Sequence, residues 1–131
     1  MIPTKNTLIY LASLYSLEST PKIRKERYER VQTLMAEMLI DGFIVFSPIS
    51  YNHPIAKKFH LSAGWEFWKP IDSCYINKCD SMLILKDEGW ERSVGITAEI
   101  KIAKKLRKEI GFVHFERDGL GRNTYCFEKF N

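Results

Sequence analysis

Thr7-Leu8-Ile9-Tyr10-Leu11-Ala12-Ser13 is short, almost continuously apolar and closed by small residues. This is the pattern of a strand buried on both faces. Ser19-Thr20-Pro21 follows, with Thr20 suited to cap a helix and Pro21 to occupy its first position. Val31, Leu34, Met35, Met38 and Leu39 then recur at helical spacing, and Gly42 supplies a C-terminal cap. Phe43-Ile44-Val45-Phe46 is a second apolar run, ended by Ser47-Pro48. Strand, helix and strand in that order make a βαβ unit, which needs a parallel sheet.

The remainder extends the alternation. Ile49 to Gly64 reads as a loop with a short helical turn near Ile55 to Phe59. Trp65 to Lys78 reads as a helix with Pro70 near its start or at a kink. Asp80 introduces a third strand, Ser81-Met82-Leu83-Ile84-Leu85, and the Asp80 carboxylate is expected to bond nearby backbone N–H groups. A long helix is expected from about Ser93 to Glu109, capped by Gly111, before a fourth strand, Phe112-Val113-His114-Phe115. Glu116 to Asn131 has no assignable structure and is a candidate for packing on a partner subunit. The expected fold is a three-layer α/β/α sandwich with a mostly parallel sheet of four to five strands, flavodoxin- or Rossmann-like. All 131 residues form a single domain with a core of about 7–115.

Composition narrows the classes. A net charge of +4 is mild, and the basic stretches Lys22 to Arg30 and Lys101 to Lys108 read first as solvated helix faces. Their other reading is a field that attracts phosphorylated small molecules. No zinc-finger spacing, RNA-binding aromatic motif or basic glycine-rich tail points to nucleic acid. Cys74, Cys79 and Cys126 are odd in number and form no C-x-x-C, so reduced, packed thiols in a cytoplasmic protein are expected. Neither a signal peptide nor a membrane span is legible. His53 stands alone on its loop, no second histidine or cysteine has a metal-ligand spacing, and neither a metal nor a cofactor is expected.

In open parallel sheets, ligands bind outside the carboxyl ends of the strands. Those ends are Ser13 to Ser16, Ser47 to His53, and Lys86 to Ser93. The strongest local signal is Gly89-Trp90-Glu91-Arg92-Ser93-Val94-Gly95-Ile96-Thr97-Ala98-Glu99. Ser93 sits where an N-cap belongs, at a helix start that suits an anion. Glu99 shares a stripe with Gly95, Ile102, Ala103, Leu106 and Ile110, which would turn the carboxylate inward with space above it at Gly95. A helix rotated to place Ile96, Ile100 and Ala103 inward would instead expose Glu99, and spacing does not decide between the two. Asp72 can face a site or solvent, and its spacing by itself favours solvent. Trp65, Phe67, Trp68 and Trp90 are either core or a stacking wall for a flat base.

Tyr10-Leu11-Ala12-Ser13, Gly42-Phe43-Ile44-Val45-Phe46-Ser47-Pro48, the Asp72–Asp80 spacing and Ser93-x-Gly95-x-x-x-Glu99, in this order, resemble the nucleoside 2-deoxyribosyltransferases and related deoxynucleoside-monophosphate N-glycosidases. Trp65-Glu66-Phe67-Trp68 and Gly89-Trp90-Glu91-Arg92-Ser93 look closest to a bacterial and phage branch of that superfamily. The resemblance implies that Glu99 attacks C1′ of the sugar, that Asp72 holds sugar hydroxyls or protonates the departing base, and that Tyr10 orients Glu99. It implies that Ser93, Ser13 and Ser16 bind a 5′-phosphate, with His53, Trp65, Trp68, Trp90, Arg92 and Gly95 completing the substrate site. Ala12 to Ser16 lacks the glycines and arginine of the family's phosphate loop, so Arg24, Arg92 or a tail residue would have to substitute. The resemblance also implies a homodimer or higher homo-oligomer. The expected activity is hydrolysis or transfer at an N-glycosidic bond of a nucleoside, nucleotide or nucleotide-derived molecule. A catalytically silent module that sequesters a nucleotide is the alternative.

Overall fold

The computed structural model describes residues 3–117, 119–120 and 123–130. The first βαβ unit forms as its sequence dictates. Strand β1 spans Leu8–Ala12, helix α1 Pro21–Ile40 and strand β2 Ile44–Phe46. Thr20 caps α1 by accepting from the Ile23 backbone N–H. At the other end Gly42 adopts φ +94°, which lets the Gly42 N–H reach the Leu39 carbonyl and the Phe43 N–H reach that of Met38. This Schellman closure satisfies carbonyls that the helix end leaves free.

The segment after β2 is a full helix, α2, over Pro48–Phe59 rather than a loop with one helical turn. Ser47 accepts from the Ser50 N–H and Pro48 takes the first position, the same start signal as Thr20-Pro21. Helix α3 covers Trp65–Lys78 with Pro70 inside it, and β3 covers Ser81–Leu85. Asp80 has the expected role: its carboxylate accepts from the Leu8 N–H at 2.7 Å.

Helix α4 runs over Val94–Lys105, ending earlier than the expected Glu109. Arg107 takes φ +57°, and the N–H groups of Arg107 and Lys108 bond the carbonyls of Lys104 and Ala103. This is the Schellman closure again, built on arginine instead of glycine. Gly111 is therefore no cap but a buried residue of β4, which spans Glu109–Arg117. The tail contributes β5, Asn123–Lys129, paired antiparallel to β4 in the chain's own sheet.

The sheet is open and mixed, in the order β2-β1-β3-β4-β5, with β1 to β4 parallel. Alternation along each strand divides the core in two. Ile9, Leu11, Leu83, Leu85 and Val113 pack with Val31, Leu34 and Met38 of α1. Tyr10, Ala12, Met82, Ile84 and Phe112 face the other side, with Ile76 of α3 and Ile96 and Ala103 of α4. The three-layer α/β/α arrangement follows. Among the described residues no helix is long and apolar enough to cross a membrane. All three cysteines are free, but Cys74 is exposed rather than packed as expected, and only Cys79 is fully buried.

Candidate functional site

The strand order 2-1-3-4-5 reverses direction between β1 and β3, the crevice position of doubly wound sheets. A cavity of about 390 Å³ lies beside the segments that follow these strands. Ser13, Tyr15 and Ser16 come from the segment after β1, Pro48, Ile49 and Asn52 from α2, Ala63 to Glu66, Trp68 and Asp72 from α3 and its approach, and Ser93 to Gly95 and Glu99 from α4. Its lining is predominantly aromatic and apolar, with a few convergent polar groups, the usual makeup of a small-molecule site.

The rotation of α4 left open by spacing is resolved. Ile96, Glu99 and Ala103 form the buried side of the helix, so the carboxylate turns inward alongside residues of the competing stripe. Glu99 is only 5% exposed. Period-two alternation brings Tyr10 to the same face of the sheet, and its phenol donates a hydrogen bond to Glu99 Oε2. Burial is the main cause that raises the Glu99 carboxyl to about 8; the Tyr10 hydrogen bond opposes it, and the Asp72 charge adds to it. Burial likewise raises Asp72 to about 7, against a hydrogen bond from Asn52. The Tyr10 phenol is pushed well up, first by burial and then by the Glu99 and Asp72 charges. It therefore stays a proton donor.

Three further polar atoms belong to this lining. Ser13 Oγ, Asn52 Oδ1 and Asp72 Oδ1 are buried with no hydrogen-bond partner among the described residues. Buried polar groups are nearly always satisfied, and each orphan costs on the order of 1–3 kcal/mol. Their convergence on one cavity equips it for a ligand rich in hydroxyl or N–H groups. The start of α4 lines the same space, with Ser93 Oγ capping the Ile96 N–H at 3.1 Å. Capping and site lining thus coexist at Ser93. Gly95 keeps room there: a Cβ would lie 3.8 Å from Trp65 Cε3, in space the glycine leaves to the cavity.

Of the residues expected at the site, Ser13, Ser16, Trp65, Trp68, Asp72, Ser93, Gly95 and Glu99 line the cavity, and Tyr10 stands behind Glu99. His53, Trp90 and Arg92 do not line it. His53 shares a 2.6 Å hydrogen bond with the Tyr15 hydroxyl and stacks on Tyr28 at 4.4 Å, because α2 turns it toward α1. Trp90 packs edge-on against Phe112 in the core. Arg92 is exposed and pairs with Glu18 at 3.8 Å. Asn52 escaped the sequence reading. Once Ser47-Pro48 is taken as a helix start, Ile49, Asn52, His53 and Ala56 fall at buried helical spacing, which would have exposed it.

A second cavity of about 740 Å³ shares Tyr15 and Ala63 with the first. It is lined by Lys22, Arg24, Lys25 and Lys57, with His53 and His60. Burial lowers the His53 pKa, and the nearby Lys57 and Arg24 charges lower it further, so its ring is neutral at pH 7. Elsewhere, His114, Glu116 and Cys126 bring possible ligand atoms within 4.8 Å of one another, a convergence their linear spacing conceals.

Residues 7–114 match a protein family described as a domain of unknown function (DUF1937), and the chain belongs to that family. No curated protein matches the chain significantly.

Proposed function

We propose that the chain cleaves or exchanges the N-glycosidic bond of a nucleoside, nucleotide or nucleotide-derived small molecule, through a covalent glycosyl intermediate on Glu99. The observation that carries this reading is a pair of buried carboxylates, Glu99 and Asp72, lining one aromatic-walled cavity, with a phenol holding the first. Two interacting buried acids titrate as a pair and share a proton near neutrality. One is then a nucleophile and the other an acid, the division of labour of a retaining glycosidase.

The reactive form is the one in which the shared proton sits on Asp72, and in it the Tyr10 hydrogen bond stabilises the Glu99 carboxylate against the burial that raises both acids. The Glu99 oxygen attacks C1′ as the C1′–N bond breaks, and the electron pair leaves with the base. Asp72, protonated, delivers its proton to the base nitrogen. In the second half, the Asp72 carboxylate takes a proton from water, whose oxygen attacks C1′ and releases Glu99. A second base in place of water would give transfer with the same retained stereochemistry. Trp65 and Trp68 provide aromatic surface for the base, worth roughly 1–3 kcal/mol when stacked. Ser13 Oγ, Asn52 Oδ1 and Asp72 Oδ1 are poised for sugar hydroxyls.

Phosphate recognition follows from the neighbouring cationic cavity. Arg24, with Lys22, Lys25 and Lys57, fills the part that the segment after β1 lacks in sequence, while Arg92 points elsewhere. The N-terminus of α4 offers a second anion position.

The test is incubation of the purified protein with nucleosides, their 5′-monophosphates and NAD-like dinucleotides, following free base by chromatography. Base release by the wild type and its loss in Glu99→Gln is expected. No release from any compound, with ligand-induced melting shifts in both proteins, would replace this reading with a sequestering module.

A further inference from the structure

Strand pairing places His114 of β4 opposite Cys126 of β5. Glu116 and Glu128 lie two residues further along their own strands, so all four side chains share one face of the hairpin. His114 Nε2 is 3.0 Å from Cys126 Sγ, and Cys126 Sγ is 3.1 Å from Glu116 Oε2. On the other diagonal, Glu128 Oε2 is 3.7 Å from His114 Nε2. Ligand atoms around a tetrahedral zinc ion are separated by roughly 3.3–3.6 Å, given metal–ligand bonds of about 2.0–2.3 Å. The three observed separations bracket that value.

The histidine is also oriented for the task. Its Nδ1 lies 3.3 Å from the Phe115 carbonyl. A proton on Nδ1 directed there leaves the Nε2 lone pair facing the thiol and carboxylates, as in most histidine–metal sites. The cluster crowds two carboxylates and a thiol around one imidazole. The Lys86 ammonium reaches Glu128 Oε1 at 2.8 Å, leaving Oε2 turned toward the histidine.

We infer that this face of the hairpin binds a divalent transition-metal cation of the zinc class, through His114 Nε2, Cys126 Sγ and Glu116, with Glu128 in the fourth position. The mixed sulfur, nitrogen and oxygen set suits a borderline-soft ion, and excludes magnesium and calcium, which take oxygen ligands. Binding replaces the thiol proton, which passes to solvent, and no electron is transferred. The ion ties edge strand β5 to β4 and serves as a cross-strand staple. This site is independent of the Glu99 cavity, whose lining includes none of these residues.

The probe is Co²⁺ added to the full chain under a phosphine reductant. One equivalent should give the intense visible bands of a tetrahedral ion and a sulfur-to-cobalt charge-transfer band, both erased by Zn²⁺. Cys126→Ser should remove the charge-transfer band and weaken Zn²⁺ binding by more than about tenfold, and His114→Gln should weaken it similarly. Both positions are half-buried on the sheet surface, and circular dichroism checks that each variant is folded. Excess Zn²⁺ should raise the melting temperature of the wild type by more than that of Cys126→Ser. Absence of tetrahedral cobalt bands, or a charge-transfer band that survives in Cys126→Ser, would overturn the assignment.

Discussion

Replacing Glu99 by glutamine keeps the shape of the side chain and an oxygen to accept the Tyr10 hydrogen bond, but removes the titrating group. In the wild type this carboxyl ionises near its ordinary 4.5 in the unfolded chain and near about 8 in the folded one. The folded state therefore holds the proton more tightly, and stability falls as pH rises through this window. Carried from pH 5 to pH 9, the linkage amounts to about 4 kcal/mol lost by the wild type and not by the variant. Glutamine adds its own cost, an amide N–H₂ in a buried place, of about 1–3 kcal/mol. That cost is independent of pH. The difference in unfolding free energy, Glu99→Gln minus wild type, should thus be negative or near zero at pH 5 and climb by several kcal/mol at pH 9. Urea unfolding of both proteins across this range measures it directly. In melting temperature the swing is of order 10–20 °C for a domain of this length. A difference that stays flat with pH would show that Glu99 is not a desolvated acid in the folded protein, and the case for a shared proton at the site would fall with it.

Tyr10→Phe removes the donor that favours the Glu99 carboxylate, so the acidic limb of kcat/KM for base release should move up by about 1–2 pH units. Asp72→Asn should flatten the alkaline limb, since it removes the acid that protonates the leaving base, and a pH–rate profile reads both variants. Arg24→Glu should raise KM for a 5′-monophosphate at least about tenfold while leaving the matching unphosphorylated nucleoside unchanged, as measured by steady-state kinetics. Arg107→Gly should stabilise the protein by about 0.5–1 kcal/mol in urea unfolding, because arginine there occupies φ +57°.

Much of the architecture was legible because its signals are local. Thr20-Pro21 opens α1 through a cap and a pre-set φ, and Gly42 closes it at φ +94°. Both are written in residue types. The same closure at Arg107 was not legible, since arginine carries no preference for that conformation, and α4 was read past its end. Ser47-Pro48 did carry a helix-start signal, yet its lack of a long apolar stripe and the presence of Pro54 made the segment look like a loop. That misreading hid Asn52 and placed His53 at the wrong cavity. Strand β5 has alternating character, and Asp118-Gly119 ahead of it is a hairpin-turn dipeptide, so a local signal for it was present; its pairing with β4 is what the tertiary structure adds.

At the site, the sequence by itself established the class of sheet and which segments follow its parallel strands. It also marked Ser93 and Glu99 as residues at the helix start that follows such an end, since position along a strand or helix is a local property, whereas spacing alone favoured solvent for Asp72, which packing instead buries. The tertiary structure decided the rest. It turned Glu99 inward and joined it to Tyr10, across 89 residues of chain. It sent Trp90 to the core and Arg92 to solvent, and gathered His114, Cys126 and the two flanking glutamates on one face. Rotation of a helix about its axis and the choice of neighbour for an edge strand depend on what packs against them. Those contacts join residues far apart in sequence, and no local pattern encodes them.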